Sequence, residues 1–362
     1  MLSSREKISM RQAVILFLLL VFSQSIRLLP TYVARIGERA GWLTPIVSIL
    51  PFIFLVYIIQ EIFKNNKEAN LSDIIIKTLG KTSGTILLFL YLIWMMVSLG
   101  ILVRYFAEKF LTSVLPNTPM SFFILTILAV IFYAMQGGIV YISRTAEILF
   151  LLFTVSFTFL FLCTVPNFKV INLFPITHYD FLPILKSSYS NISIWGAFTY
   201  IFFFGDRIND KEHAKRFGLQ GAVYLVITTL MLLIQTIGVY SYSLVQRTSA
   251  PYISVVKSIS LLRTIERIES ISVTLWAIAD FVPISVTIYV IVSIIKSLFS
   301  LSEVKSLVSP ITIFAFIFSQ YIAHNSFELE NFSNYISLPL GIIFGFIFPL
   351  IILIVGKIRK KI

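Results

Sequence analysis

Two ionisable side chains, Arg27 and Asp280, stand inside apolar sequence where charge is costly. Arg27 closes Phe22-Ser23-Gln24-Ser25-Ile26-Arg27, and Asp280 lies in Leu275-Trp276-Ala277-Ile278-Ala279-Asp280-Phe281. On insertion scales an ionised group at the centre of a bilayer costs about 2.5–3.5 kcal/mol, so it faces a partner or a wet cavity. Two readings follow. Arg27 and Asp280 pair with each other and fix the packing of two helices, or Arg27 holds a ligand carboxylate while Asp280 holds an ammonium or a monovalent cation. Ser23, Gln24 and Ser25 add two hydroxyls and an amide beside Arg27. Tyr91, Met95 and Ser98 fall close to one helical face, which suits either a cavity wall or plain helix packing. Trp195, Gly196 and Thr199 supply an aromatic wall, a flexible backbone position and a hydroxyl, although small residues also serve close packing between membrane helices.

Nothing comparable supports catalysis. His178, His213 and His324 are scattered over separate predicted loops, so no metal cluster and no base beside a nucleophile is expected. Gly137-Gly138 lacks the Lys-Ser/Thr of a phosphate loop, and Gly80-Lys81-Thr82 lacks the earlier glycine. The expectation is no enzyme, no cofactor and no metal.

The elements that position these residues are membrane helices. The chain of 362 residues is 57% hydrophobic and 13% charged, with a mean hydropathy of +0.92, beyond what a water-soluble core needs. Apolar stretches of spanning length predict ten spans, at about 10–30, 41–63, 85–108, 119–137, 144–165, 189–205, 217–244, 270–298, 308–323 and 336–356. Placing the N-terminus inside puts 18 of the 29 Lys and Arg on the inner side and 10, including Arg104 and Lys109, on the outer side. Positively charged loops stay cytoplasmic, so both termini are expected there. The net charge of +12 is spread over short loops at membrane edges; it points to lipid headgroups and topology, not nucleic acid. Arg5 and Lys7 before an apolar run, with small residues near 23–25, mimic a secretory signal, but no clear cleavage site stands out and nine further apolar spans follow, so no cleavage is expected. Cys163, the lone cysteine, leaves no internal disulfide and no cysteine metal site.

The polar triplet Ser23-Gln24-Ser25 lies about 20 Å into the first span at 1.5 Å per residue. It predicts a broken helix whose freed backbone groups meet protein, water or ligand; the plainer alternative is that the three small polar side chains bond to their own helix. Ten spans divide into five and five, at 10–165 and 189–356 of one polytopic domain over 1–362. An odd number per set inverts the second relative to the first. Span six should then break as span one does, near Ser190–Thr199. The stretch Pro251–Leu262 reads as a short amphipathic helix at the outer face.

Several motifs carry a family resemblance. Lys7-Ile8-Ser9-Met10-Arg11-Gln12-Ala13, the span ending Leu28-Leu29-Pro30, the following Ala34–Leu43 and Asn172-Leu173-Phe174-Pro175-Ile176 resemble the B subunits of bacterial spore germinant receptors. That family is similar to the amino acid-polyamine-organocation transporters. The resemblance implies an all-α, LeuT-like five-plus-five fold with spans one and six unwound around a substrate. It places Ser23, Gln24 and Ser25 at the first unwound turn and Trp195–Thr199 at the second. It also implies a small-molecule germinant, expected to be an amino acid, A and C subunits as partners, and the inner membrane of the spore. A symporter working by alternating access, and a channel-like component, are the competing readings.

Overall fold

The computed structural model describes residues 7–113, 115–259, 268–301 and 305–362, and of residues 113 and 268–278 the backbone only. Ten long helical segments stand where the ten spans are predicted: Met10–Gly37, Thr44–Lys64, Lys81–Ser113, Met120–Met135, Gly138–Thr164, a sixth made of Phe181–Trp195 and Gly196–Arg207, Ala214–Tyr240, Ile268–Phe299, Val308–Tyr321 and a compound tenth over Ser326–Ile358. By length and composition six stretches suffice to cross a membrane, and the first of them, Met10–Lys64, holds spans one and two. Apolar side chains all around these helices are the expected surface of a protein solvated by lipid; Leu50, Ile93, Leu125 and Leu151 are among the exposed ones.

Span one is the central rod, buried along most of its length. It starts at a capping box, in which the Ser9 hydroxyl accepts from Gln12 N–H and the Gln12 side chain accepts from Ser9 N–H. Asp210, in the loop after span six, accepts from Met10 N–H at 2.7 Å. Ile8 pairs with the same loop, donating to Arg207 at 2.8 Å and accepting from Asn209 at 2.9 Å. An aromatic cluster of Phe17, Phe52 and Phe198, with ring centroids 5.1–5.6 Å apart, joins spans one, two and six.

The predicted break in span one is absent: Met10–Gly37 is helical through Ser23-Gln24-Ser25. The Ser23 hydroxyl finds a partner in Asp280 without any unwinding. The triplet also holds no glycine, so nothing lowers the cost of leaving the helix. Pro30 lies inside the helix and removes the N–H that would face the Ile26 carbonyl, a much smaller opening than a break.

Irregular backbone lies in spans six and ten instead. Span six is α-helical to Trp195, then 3₁₀ from Gly196 to Arg207, as the weaker of the two predicted breaks required. Twelve residues is long for a 3₁₀ run, which rarely exceeds three or four and marks hinges or strain. Span ten carries two π-helical turns, Ser333–Ser337 and Ile343–Ile347, of the kind that cluster at functional sites. The two spans cross closely because Gly196, Gly341 and Gly345 leave room: a Cβ on Gly345 would lie 2.7 Å from the Gly196 Cα. Ser193 donates to the Leu338 carbonyl at 2.6 Å and Thr199 to the Gly345 carbonyl at 2.7 Å across the same crossing.

Between spans seven and eight, Pro251–Lys257 is helical and packs Tyr252, Ile253, Val255 and Val256 inward, as an amphipathic segment should. Residues 260–262 of that expected helix lie outside the described residues.

Candidate functional site

Spans one, three, six, eight and ten enclose a cavity of about 80 Å³. Gln24, Arg27, Ser98, Tyr105, Tyr200, Thr287, Ser333 and Ser337 bring polar groups to it, while Leu20, Leu28, Trp94, Met95, Ile101 and Leu102 are among its apolar walls. The π turn of span ten places both Ser333 and Ser337 on this wall. A larger chamber of about 540 Å³ adjoins it, bounded by Arg35, Glu108, Lys109, residues 246–250, Ser326 and Glu330 among others. Arg27, Leu28 and Tyr105 line both spaces, so they form the wall between them.

Arg27 is held in that wall by a ring, not by an anion. Its guanidinium carbon lies 4.0 Å from the centroid of Tyr105, a cation–π contact that strengthens where water is excluded. The Tyr105 hydroxyl is fixed in turn by Ser333 at 2.9 Å and the Leu329 carbonyl at 3.2 Å. The Arg27 Nε and Nη1 are buried and have no hydrogen-bond partner among the described residues. Buried donors are normally paired, so an orphaned guanidinium on a cavity wall is a ready seat for an anionic oxygen.

Asp280 is not the partner of Arg27 expected from the sequence. Its carboxylate is in an ion pair with Lys109 and accepts from the Ser23 hydroxyl; both charged side chains are 4% exposed. Lys109 belongs to the buried end of span three, not to an outer loop. Arg104, also expected outside, is 7% exposed and pairs with Glu108 at 2.9 Å while donating to the Gln320 carbonyl at 3.2 Å. Arg104 and Glu108 fall within the predicted span 85–108, but Arg104 was counted with the outer charges, and Lys109 lies one residue past the predicted end. The i,i+4 spacing of Arg104 and Glu108 was the available signal that the two pair along the helix. The ammonium of Lys109 stands on Asp280 where a ligand ammonium or monovalent cation would otherwise be held.

The other predicted site residues divide. Gln24 and Ser98 line the smaller cavity. Ser25, Tyr91, Trp195, Gly196 and Thr199 do not; they pack the surrounding helices. Tyr91 is fully buried and donates to the Phe344 carbonyl at 2.7 Å, a carbonyl of the second π turn. Trp195 is fully buried against Phe52, with centroids 5.8 Å apart, so it is core and not a lid. Gly196 faces Phe346 and the Gly341 carbonyl. Ser25 is buried, with its hydroxyl unpaired among the described residues. Trp94, a span-three residue of the same apolar stretch, also lines the cavity and donates to the Tyr200 hydroxyl at 3.0 Å, and Tyr105, Tyr200 and Ser337, which the sequence did not single out, complete it.

A ten-span bundle with a central cavity, a wider adjoining chamber and irregular backbone in spans six and ten defines an all-α membrane protein of the LeuT-like transporter fold. Among solved structures, the chain is similar to Mhp1, a nucleobase-cation-symport-1 family transporter in a closed conformation with bromovinylhydantoin bound, at a TM-score of 0.71 and 10% identity over 98% of this chain and 80% of that one. The sequence model of the family described as spore germination protein matches residues 7–327, and the chain belongs to that family. It is 23% identical to spore germination protein KB of Bacillus subtilis (strain 168) over 99% of this chain and 96% of that protein. It is 26% identical to spore germination protein A2 of the same organism, over 89% of this chain and 87% of that protein.

Proposed function

We propose that this chain is the membrane-embedded sensor subunit of a germinant receptor, with its ligand seated in the smaller cavity against Arg27. The observation that carries this reading is the buried guanidinium with two unpaired N–H positions on the wall between two chambers. The wide chamber is the approach, the guanidinium the anchor, and Gln24, Ser98 and Ser337 the orienting groups. Binding signals only if the ligand prefers one conformation over another. The irregular segments of spans six and ten are the elements suited to two arrangements. A and C subunits are the proposed partners that read the change, and the spore inner membrane, with both termini cytoplasmic, is the proposed location. Residues 10–165 and 189–356 are proposed as the two five-helix repeats.

The similarity to a cation-coupled symporter supports transport as a second reading. The Lys109 ammonium on Asp280 weighs against a cation site at that carboxylate, and so against ion coupling through it. Deleting this chain from spores and assaying purified protein in vesicles separates the two. Lost germination without uptake of labelled solute supports the sensor, whereas gradient-driven uptake by the lone chain replaces it with a transporter.

A further inference from the structure

Resting on the reading that the ligand seats against Arg27, we propose that it is a small monocarboxylate with an apolar body and no ammonium group. The lining of the smaller cavity carries one full charge, Arg27, and no carboxylate. Of the acidic groups nearby, Asp280 is engaged by Lys109 and Ser23, and Glu108 by Arg104. Glu330, on the wall of the larger chamber, faces Arg35 at 3.5 Å. A monoanion beside Arg27 neutralises a charge that is otherwise costly inside an apolar bundle. A zwitterion brings a second cation into the same volume and leaves the local charge where it was.

The backbone acceptors of span one and of the second π turn are already engaged. Span one is helical throughout, so its carbonyls beside the cavity meet their own N–H groups. In the second π turn of span ten, the Phe344 and Gly345 carbonyls accept from Tyr91 and Thr199. Pro30 opens the Ile26 position, but Ile26 lines the larger chamber, and one neutral carbonyl is no substitute for a carboxylate. Leu20, Leu28, Trp94, Met95 and Leu102 offer an apolar enclosure for the rest of the molecule, and the unpaired Ser337 hydroxyl is a donor for the second carboxylate oxygen. Deleting the ammonium of an amino acid therefore improves the fit.

The test uses the full chain in lipid nanodiscs and reads ligand-induced shifts in thermal unfolding. The probes are sodium acetate, propionate, 3-methylbutanoate and 4-methylpentanoate, each beside its amino-acid counterpart, glycine, L-alanine, L-valine or L-leucine, with sodium chloride as the inorganic anion. At least one carboxylate is expected to bind tenfold or more tightly than its counterpart. Arg27→Gln should abolish the difference, and Ser337→Ala should weaken carboxylate binding severalfold. Equal or tighter binding of the amino acids, a shift from chloride alone, or no shift from any carboxylate overturns the proposed ligand class. Arg27-dependent binding of an amino acid does so while leaving the sensor reading standing. Normal germination of spores carrying Arg27→Gln removes the sensor reading of this pocket itself.

Discussion

Lys109 and Arg27 are both buried cations near one carboxylate, and the structure treats them differently. Lys109 pairs with Asp280, whereas Arg27 rests on Tyr105 and keeps free donors. Removing one member of a buried pair strands the other at about 3–5 kcal/mol, whereas replacing both by apolar groups is often near neutral. Lys109→Met and Asp280→Leu should therefore each lower the thermal midpoint sharply, and the double variant should recover most of the loss. Equal, additive losses would argue against the pair. Arg27→Gln belongs to the other category: the protein should insert and fold, and germination should require at least tenfold more ligand or fail. The two deep charges were legible in the sequence because apolar surroundings make them conspicuous. Their partners were not, since spacing along the chain carries no information on which of two cations reaches Asp280.

Helix by helix, the two predicted irregularities part company. Span six switches to 3₁₀ at Gly196, while span one, with Ser23-Gln24-Ser25 and no glycine, stays helical. In span ten Gly341-x-x-x-Gly345 was visible as a small-residue pattern, yet a π turn depends on the partner helix and leaves no signature in one segment. Gly345→Ala would press a Cβ into the Gly196 backbone at 2.7–2.8 Å. Such overpacking costs about 1–3 kcal/mol, so a lower thermal midpoint and loss of response are expected together. Ser337→Ala on the neighbouring turn should leave the thermal midpoint of the ligand-free protein nearly unchanged, because the hydroxyl has no partner to lose among the described residues. A large drop there would mean that the serine is structural.

At the scale of the molecule, each of the ten stretches that hydropathy marks coincides with a helical segment of the described residues, and six stretches are long and apolar enough to cross a membrane. Hydropathy set the ends less well: span three runs past its expected end at 108 to Ser113, and span ten begins at Ser326, where charged and polar residues read as loop. The arrangement of chambers was beyond the sequence, as it depends on which faces meet. In a Cys163→Ser background, Thr248→Cys should react with an impermeant maleimide added outside intact vesicles, and Lys357→Cys only after permeabilisation. The reverse pattern would invert the proposed topology.

The unbroken first helix has a mechanical consequence. From Arg27 to Met10 it is a rod of about 25 Å at 1.5 Å per residue, and its foot is bonded to Arg207, Asn209 and Asp210 after span six. A transporter that hinges in mid-helix can move one half while the other stays; this lever has no such joint. A tilt at the guanidinium is delivered undiminished to the opposite face, coupled to the base of span six, which suits a molecule that must report occupancy more than one that must carry cargo through. Softening the rod with Ser25→Gly and Ile26→Gly, each weakening the helix by about 1 kcal/mol, should spare ligand binding in nanodiscs while silencing germination. Equal loss of both would mean that the lever and the pocket are one and the same device.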